Sequence, residues 1–182
     1  MLEKEIKILD INIDEVCKKI EKLWGTRTFD GIIHDVYYDF PNDGKKHKME
    51  GNKRMFRVRK KWETHLYTIK NKRKDVEEVE NVVAKDEHEM EITDVDSFTE
   101  VLERYGMIKT REKIKYRISY QLAWAEFDID KYDDIPAILE IEEDSDKSIE
   151  FWVRRLELDA YEQLLGWSRK LFKHYGVPYL HL

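Results

Sequence analysis

The sequence predicts an α+β protein in which antiparallel strands form a β-barrel and helices pack on the outside. The first observation behind this prediction is that charged and apolar side chains alternate in several segments, which is typical of strands with two different faces. The second is that landmarks of the first half of the chain recur in the second half at a constant offset. The third is that helical patterns lie between and after these segments. Two similar halves that close into one barrel account for all three.

The composition indicates one foldable domain. The chain has 182 residues, of which 41% are hydrophobic and 40% charged, enough for a sizeable core. A net charge of -6 argues against a nucleic-acid-binding protein, which would need a basic surface. No signal peptide or membrane-length apolar run is present, which favours a cytoplasmic protein with no membrane partner. The single cysteine, Cys17, lies in an amphipathic helical pattern and is expected in the core.

The first half, residues 1–72, opens with the strand pattern on which the prediction depends. Glu3, Glu5 and Lys7 share one face of this strand, and Ile6 and Ile8 share the other. The elements predicted after it are a helix over 13–24 that ends at a glycine, a strand over 32–40, and a hairpin of strands 55–61 and 65–72.

The second half, residues 85–144, repeats this opening. A charge-dense segment over 73–84 is predicted to be a mobile loop, after which Glu87, Glu89 and Glu91 alternate with less polar residues. One offset pairs Glu3 with Glu87, Glu5 with Glu89, Asp10 with Asp94 and Arg27 with Arg111. The remaining predicted elements are a helix over 97–105, strands over 111–120, 123–130 and 138–142, and helices from 145 and around 167–175 within a C-terminal segment of residues 145–182. The whole of 1–182 is expected to be a single domain.

The alternating charges fall into two chemical sets. The acidic set is Glu3, Glu5, Glu87, Glu89, Glu91, Glu126, Asp128, Asp130, Glu140 and Glu142. The basic set is Lys7, Arg57, Arg59, Lys70, Lys72, Arg111, Lys113, Lys115 and Arg117. If the apolar faces pack against helices, these charges line the inside of the barrel. For any single strand a solvent-exposed face with salt bridges is the simpler interpretation, but the repetition over six strands favours a site.

Such a site has a definite chemistry. Carboxylate clusters suit a hard divalent cation, Mg²⁺ or Mn²⁺ before Zn²⁺. Arginine and lysine clusters suit phosphate oxygens, which arginine can bind with two hydrogen bonds. The two sets together predict a site for a metal ion and a polyphosphate.

The ordered motifs resemble those of a known family. The motif Glu3-x-Glu5-x-Lys7 is similar to the ExExK signature of the CYTH superfamily, the triphosphate tunnel metalloenzymes, which includes class IV adenylyl cyclases and thiamine triphosphatases. The resemblance continues through Arg57-x-Arg59, Thr68-x-Lys70, Glu87-x-Glu89, Lys115-x-Arg117-x-x-Tyr120, Asp130 and Leu139-Glu140-Ile141-Glu142. It covers the chain nearly end to end, and only about the last forty residues are weakly diagnostic.

The resemblance implies an eight-stranded antiparallel tunnel that holds a small-molecule triphosphate with one or two divalent metals. The implied metal ligands are Glu3, Glu5, Glu87, Glu89, Asp130, Glu140 and Glu142. The implied phosphate-binding residues are Lys7, Arg57, Arg59, Lys70, Lys115 and Arg117, with Lys85 and Arg111 as weaker candidates. The implied catalytic residues are Glu3, Glu5, Lys7, Asp128 and Asp130, where an aspartate would orient a metal-bound water.

The reaction expected first is metal-dependent hydrolysis of tripolyphosphate, a nucleoside triphosphate or thiamine triphosphate. A class IV-type adenylyl cyclase is the alternative, but only Met1 and Leu2 precede Glu3, where those cyclases tend to carry a short His-Phe-containing segment. A non-catalytic polyphosphate-binding module is the second alternative; the acidic pairs argue against it because phosphate binding needs only the cations. The sequence leaves a homodimer open.

Overall fold

The structure is a computed structural model that describes residues 4–41, 54–72, 85–166 and 168–178. The side chains of residues 54, 55, 70–72 and 85–87 are outside this description. The elements in chain order are β1 (Lys4–Ile8), α1 (Ile13–Lys22), β2 (Thr26–Asp39), β3 (Arg54–Lys61), β4 (Thr64–Lys72), β5 (Lys85–Ile92), α2 (Val95–Arg104), β6 (Ile108–Leu122), β7 (Ala125–Lys131), β8 (Ile138–Glu143), α3 (Asp146–Arg155), β9 (Gln163–Leu164) and α4 (Ser168–His174).

Three of the helices begin at side-chain caps that the sequence provides. Asn12, Asp94 and Ser145 each accept a hydrogen bond from the backbone N–H three residues later, at the start of α1, α2 and α3 respectively. These bonds satisfy amide groups that have no partner within the helix.

The described chain divides into two compact units, and each is considered by itself. In the first unit, residues 4–31 and 115–178, the strands follow the order β6-β7-β8-β1-β9, and every described pairing is antiparallel. In the second unit, residues 32–41, 54–72 and 85–114, they follow the order β5-β4-β3-β2, also antiparallel. β2 and β6 each contribute residues to both units.

The first unit has its main core on one face of its sheet. The strand residues of this core alternate with the charged positions, and α1 and α3 supply further side chains. Its members include Ile6, Ile8, Ile118, Tyr120, Phe127, Ile129, Leu139 and Ile141 from the strands, with Val16, Cys17, Ile20, Ile149 and Val153 from the helices. The predicted burial of Cys17 is therefore confirmed.

A smaller core in the first unit involves α4. Leu171 and Phe172 of this helix pack with Leu9, Tyr132 and Ile138. Because Ile138 is two residues from Glu140 on β8, it belongs to the charged face of that strand. The charged face thus becomes apolar at this end, where α4 covers it.

The second unit has its own core between its sheet and α2. Tyr38, Val58, Tyr67 and Ile92 of the strands pack with Leu102 of α2 in this core. The ring of Tyr67 also meets that of Phe98 edge to face, with the ring centroids 4.7 Å apart. Tyr38, Val58, Tyr67 and Ile92 therefore lie on one face of the sheet of this unit.

The structure confirms the α+β class, the antiparallel strands and the order of the main elements. It extends the strand predicted over 32–40 back to Thr26 and that over 111–120 at both ends, and it adds β9, a two-residue strand. Closure into a barrel and a single domain stay predictions. The predicted loop over 73–84 lies outside the described residues. None of the described helices is long and apolar enough to cross a membrane.

Candidate functional site

The first unit presents a charged face formed by β6, β7, β8 and β1. The side chains of this acidic face are Glu5, Lys7, Lys115, Arg117, Ser119, Glu126, Asp128, Asp130, Glu140 and Glu142. Strand register sets their order, since residues that are directly paired across antiparallel strands lie side by side. One row joins Glu126, Glu142 and Glu5, and the next joins Asp128, Glu140 and Lys7.

The acidic face becomes more buried from one row to the next. Glu126 is exposed, and Glu5 and Glu142 are half-buried. In the next row Lys7 is only 1% exposed, and beyond it the side chain of Asp130 is fully buried. The face is therefore open to solvent at the Glu126 row and closed beyond Asp130, where the core around α4 begins.

Arg117 is the centre of the buried part of this face. Its Nε and Nη2 donate to the two carboxylate oxygens of Asp130 at 2.5 and 2.6 Å, and Nη2 also donates to Glu140 at 2.8 Å. Nη1 donates to Asp128, whose other oxygen accepts a hydrogen bond from Ser119 at 2.6 Å. One guanidinium thus joins three carboxylates from two strands.

The two lysines of the face are also paired. Lys7 Nζ lies 2.5 Å from Glu5 and 3.2 Å from Glu140, and Lys115 Nζ lies 2.5 Å from Asp130. Buried ions need such partners because removal from water costs several kcal/mol per ion. Among its described side chains the face nevertheless carries six carboxylates and three cations, a formal excess of three negative charges.

These contacts control protonation. Burial by itself would lower the pKa of Lys7, but Glu140 and Glu5 outweigh it and raise this pKa above its ordinary value. Burial would raise the pKa of Glu140, but Lys7, Lys115 and Arg117 hold it well below its ordinary value. Near neutral pH Glu140 is therefore ionised and Lys7 is charged.

The second unit presents a face richer in cations. The side chains of this basic face that contact one another are Asp35, Tyr37, Arg57, Arg59, Thr68, Glu89, Arg111 and Lys113. Arg59 and Asp35 are directly paired across β3 and β2, and Arg59 Nε and Nη2 donate to the two oxygens of Asp35 at 2.6 and 2.9 Å. Four positive charges on one face suit an anion with several oxygens.

Arg57 belongs to a second row of this face. Arg57, Thr68 and Glu89 are paired in register across β3, β4 and β5. Arg57 Nη2 donates to Thr68 Oγ1 at 3.1 Å, and Thr68 donates to Glu89 at 3.1 Å. Glu89, predicted as a metal ligand, thus lies 3.8 Å from the arginine.

The predicted site residues fall into three groups. The acidic face holds Glu5, Lys7, Lys115, Arg117, Asp128, Asp130, Glu140 and Glu142. The second unit holds Arg57, Arg59, Glu89 and Arg111. Lys70, Lys85 and Glu87 have described strand positions but no described side chains, and Glu3 lies outside the described residues.

The acidic face fits a divalent cation by charge and donor type. Within the described ranges, no three His, Cys, Asp or Glu side chains converge closely enough to hold a metal ion. Carboxylate oxygens are the ligands that Mg²⁺ and Mn²⁺ prefer, however, and the row of Glu126, Glu142 and Glu5 supplies them at the solvent-accessible end of a face with excess negative charge.

Sequence reasoning missed Asp35, Tyr37 and Ser119, all of which contact predicted site residues. Ser119 is uncharged, so a search for alternating charges passes over it. Asp35 and Tyr37 lie on one face of β2, and Val36 and Tyr38 lie on the other. Both faces carry an aromatic residue, so alternation alone does not single out either face. The sequence signal for the functional face was the charge of Asp35.

The family model of the CYTH domain matches residues 1–174. No curated protein matches the chain.

Solved structures from several organisms have the same fold. The PH1012 protein of Pyrococcus horikoshii is 24% identical, with a TM-score of 0.67 over 88% of this chain and 94% of that one. A candidate adenylate cyclase of Vibrio parahaemolyticus is 16% identical, with a TM-score of 0.68 over 95% and 98%. HpAC1 of Hippeastrum is 14% identical, with a TM-score of 0.61 over 100% and 99%. These likenesses show the fold, and the family model, which covers nearly the whole chain, shows that this protein belongs to the CYTH domain family.

Proposed function

We propose that this protein is a divalent-metal-dependent phosphohydrolase that acts on triphosphate substrates. The observation that carries the proposal is the division of charge: the first unit has an acidic face with partly buried carboxylates, and the second has a face on which arginine and lysine outnumber the carboxylates. Membership of the CYTH family supports a triphosphate-related activity. The proposed substrate is tripolyphosphate, a nucleoside triphosphate or thiamine triphosphate.

The cations would hold the phosphate oxygens. In this proposal the binding residues are Lys7, Arg57, Arg59, Lys70, Lys85, Arg111, Lys115 and Arg117. Arginine suits this role because its guanidinium keeps its charge and matches two oxygens at once. Lys7 and Arg117 already have carboxylate partners, so a phosphate would have to share or replace those contacts.

The carboxylates would hold Mg²⁺ or Mn²⁺. The proposed ligands are drawn from Glu3, Glu5, Glu87, Glu89, Asp130, Glu140 and Glu142. When bound, such an ion neutralises phosphate charge and lowers the pKa of a coordinated water. Glu5 and Glu142 lie in the same row as the exposed Glu126, whereas both oxygens of the fully buried Asp130 contact Lys115 or Arg117. Glu5 also lies 2.5 Å from Lys7 Nζ, so a metal at Glu5 would have to share this carboxylate with the lysine. We therefore assign Glu5 and Glu142 to the metal and Asp130 to the placement of the two cations.

Proton handling would fall to Asp128. One of its oxygens accepts from Ser119 and the other from Arg117, so the carboxylate is fixed in orientation on the acidic face. A carboxylate held in this way can accept a hydrogen bond from an attacking water and align it with the terminal phosphorus. A cyclase would in addition have to bind adenine and the ribose hydroxyl, and the sequence has no separate motif for adenine.

A product assay tests the proposal. Purified protein is given tripolyphosphate, ATP or thiamine triphosphate with Mg²⁺ or Mn²⁺, and orthophosphate, pyrophosphate and cyclic AMP are resolved. Orthophosphate release that EDTA abolishes is the expected result. Cyclic AMP with pyrophosphate would make the protein a cyclase, and the absence of turnover with either metal would favour a binding module.

Two adjacent glutamates of β8 test the metal assignment. Glu142 lies on the acidic face, whereas Glu143 lies on the opposite face and accepts a hydrogen bond from Trp152 Nε1 at 2.9 Å. Loss of a residue that hydrogen-bonds to a metal ligand lowers activity about 10- to 100-fold, and loss of a ligand itself should lower it further. Glu142→Gln should therefore lower kcat/KM at least about 100-fold. Glu143→Gln is the matched control and should keep activity. Full activity in Glu142→Gln would refute the metal assignment.

A further inference from the structure

β2 contributes a buried carboxylate that no part of the proposed chemistry uses. The side chain of Asp35 is 3% exposed, and both of its oxygens accept hydrogen bonds from Arg59. Asp35 and Arg59 are direct cross-strand partners, so backbone register brings them together. A bidentate pair of this kind fixes the plane of the guanidinium as well as its position.

Asp35 contacts two of the three nitrogens of the Arg59 guanidinium. Asp35 takes the Nε side and one nitrogen of the terminal pair, Nη2. Nη1 takes no part in the contact with Asp35. The pair therefore sets the direction in which the Nη1 edge of Arg59 is presented.

Tyr37, two residues along the same face of β2, contacts a second arginine, Arg111. The guanidinium carbon of Arg111 lies 3.7 Å from the centre of the Tyr37 ring, and Lys113 Nζ lies 5.6 Å from it. Both distances are within the range of cation–π attraction. The phenol oxygen of Tyr37 in turn lies 3.4 Å from Asp35, to which it donates.

We infer that Asp35 and Tyr37 are positioning residues, which hold Arg59 and Arg111 in fixed orientations on the basic face so that these two arginines bind triphosphate without further ordering. The inference rests on the proposed function, because it assigns these residues to triphosphate binding. Neither side chain is given a contact with the substrate; each acts through an arginine.

Two opposite effects decide whether removal of the Asp35 charge weakens or strengthens triphosphate binding. A preordered arginine loses little conformational freedom when an anion binds, which favours binding. The negative charge of Asp35 disfavours a nearby anion, which opposes it. If positioning is the larger effect, removal of the Asp35 charge weakens triphosphate binding; if repulsion is the larger effect, the same change strengthens it.

The test measures binding of tripolyphosphate to metal-free protein in EDTA by calorimetry, so that it does not depend on turnover. Asp35→Asn should raise the dissociation constant about 3- to 10-fold, the loss expected when one side chain must be ordered on binding. In an Arg59→Lys background the same change should alter it less than about 2-fold, because the partner through which Asp35 acts is gone. Asp39→Asn, at the exposed end of β2, is the matched control and should leave the constant unchanged.

A second pair of variants covers the case in which Asp35→Asn does not fold. Tyr37→Phe keeps the ring beside Arg111 and should change tripolyphosphate affinity less than about 2-fold, whereas Tyr37→Leu removes the ring and should weaken it about 3- to 10-fold. Equal affinities of these two variants would contradict the role of the ring. Melting temperatures of all variants identify any that are unfolded.

The arginine itself supplies a readout that needs no triphosphate. In ¹⁵N spectra the Arg59 Nε–H signal, assigned by its loss in Arg59→Lys, should exchange slowly with water in the native protein and rapidly in Asp35→Asn. Unchanged exchange, or unchanged or tighter tripolyphosphate binding in Asp35→Asn, would overturn the inference. Failure of the native protein to bind tripolyphosphate would instead refute the proposed function, and the assignment of Asp35 to triphosphate binding with it.

Discussion

Asp130 should contribute more to stability than any exposed charge of this protein. Its side chain is fully buried and accepts from Lys115 at 2.5 Å and from Arg117 at 2.5 and 2.6 Å. Asp130→Asn keeps the size of the side chain but removes the charge that two buried cations share. The variant therefore tests whether this carboxylate holds the acidic face together.

The expected loss follows from the number of partners that remain. Removal of one member of a buried ion pair costs about 3–5 kcal/mol, because the other charge stays buried without compensation. Arg117 keeps Asp128 and Glu140, so we expect the low end of this range, about 3 kcal/mol. For a chain of this size that loss lowers the melting temperature by roughly 6–12 °C.

Urea unfolding of Asp130→Asn, followed by circular dichroism and extrapolated to zero denaturant, measures this loss. The matched control is Asp133→Asn, an exposed aspartate just after β7, which should change the free energy of unfolding by no more than about 0.5 kcal/mol. A loss below about 1 kcal/mol in Asp130→Asn, well under the value for a broken buried pair, would show that the carboxylate is not needed to compensate the two cations.

Two further changes test the electrostatics and the opposite face of the sheet. Because the pKa of Glu140 is held below its ordinary value of 4.5, its ionised form stabilises the fold above about pH 4.5, and this stabilisation is lost as the pH falls through the lowered value. Glu140→Gln should thus be less stable at pH 7 and should lose less stability between pH 5 and pH 3 than the native protein, measured by urea midpoints; parallel pH curves would contradict this. Tyr120→Phe removes a hydroxyl that donates to Glu21 at 2.6 Å and accepts from Arg27 at 2.7 Å, and should cost about 1 kcal/mol of stability. Its turnover should be unchanged, because Tyr120 lies in the core on the face opposite the charges, and a loss of turnover in folded Tyr120→Phe would contradict that placement.

The alternation of charge along the strands was sufficient to predict which side chains share a face. Because the period of a strand is two residues, Glu5 and Lys7 had to lie together and apart from Ile6. The structure places them so, with Ile6 in the core and Lys7 beside Glu140. Helices α1 and α3 cover the apolar face for the same reason, since their own apolar stripes need a partner.

Register and neighbouring strands could not be obtained from alternation. Knowing that Arg117 and Asp130 face the same side does not reveal that they are directly paired across β6 and β7. That pairing depends on the Ala123–Trp124 turn between the two strands, and a shift of one residue would have turned every side chain of one strand to the other face. For the same reason the sequence offered Lys115 and Arg117 as phosphate ligands without showing their carboxylate partners.

α4 was predicted as a helix, but its contacts were not. Its pattern of Leu171 and Phe172 predicts an apolar stripe and nothing about what the stripe meets. The structure places it against Leu9 and Ile138, at the end of strands that otherwise carry charge. A change from charged to apolar along one strand face is a visible signal in β8, where Ile138 precedes Glu140, and it marks the closed end of the acidic face.

The acidic face has more carboxylates than cations, and the basic face has more cations than carboxylates. This difference favours the proposed function over a purely structural role. If the charges served only to stabilise the fold, each face would be expected to balance itself, since an uncompensated buried charge is destabilising. Among its described side chains the acidic face instead has six carboxylates and three cations, and the exposed Glu126 marks its solvent-accessible row. A metal ion at this row would leave the contacts of Arg117 with its three carboxylates in place and would share Glu5 with Lys7. The buried pairs hold the face in shape, and Glu5 and Glu142 of the outer row are the carboxylates that we propose as metal ligands.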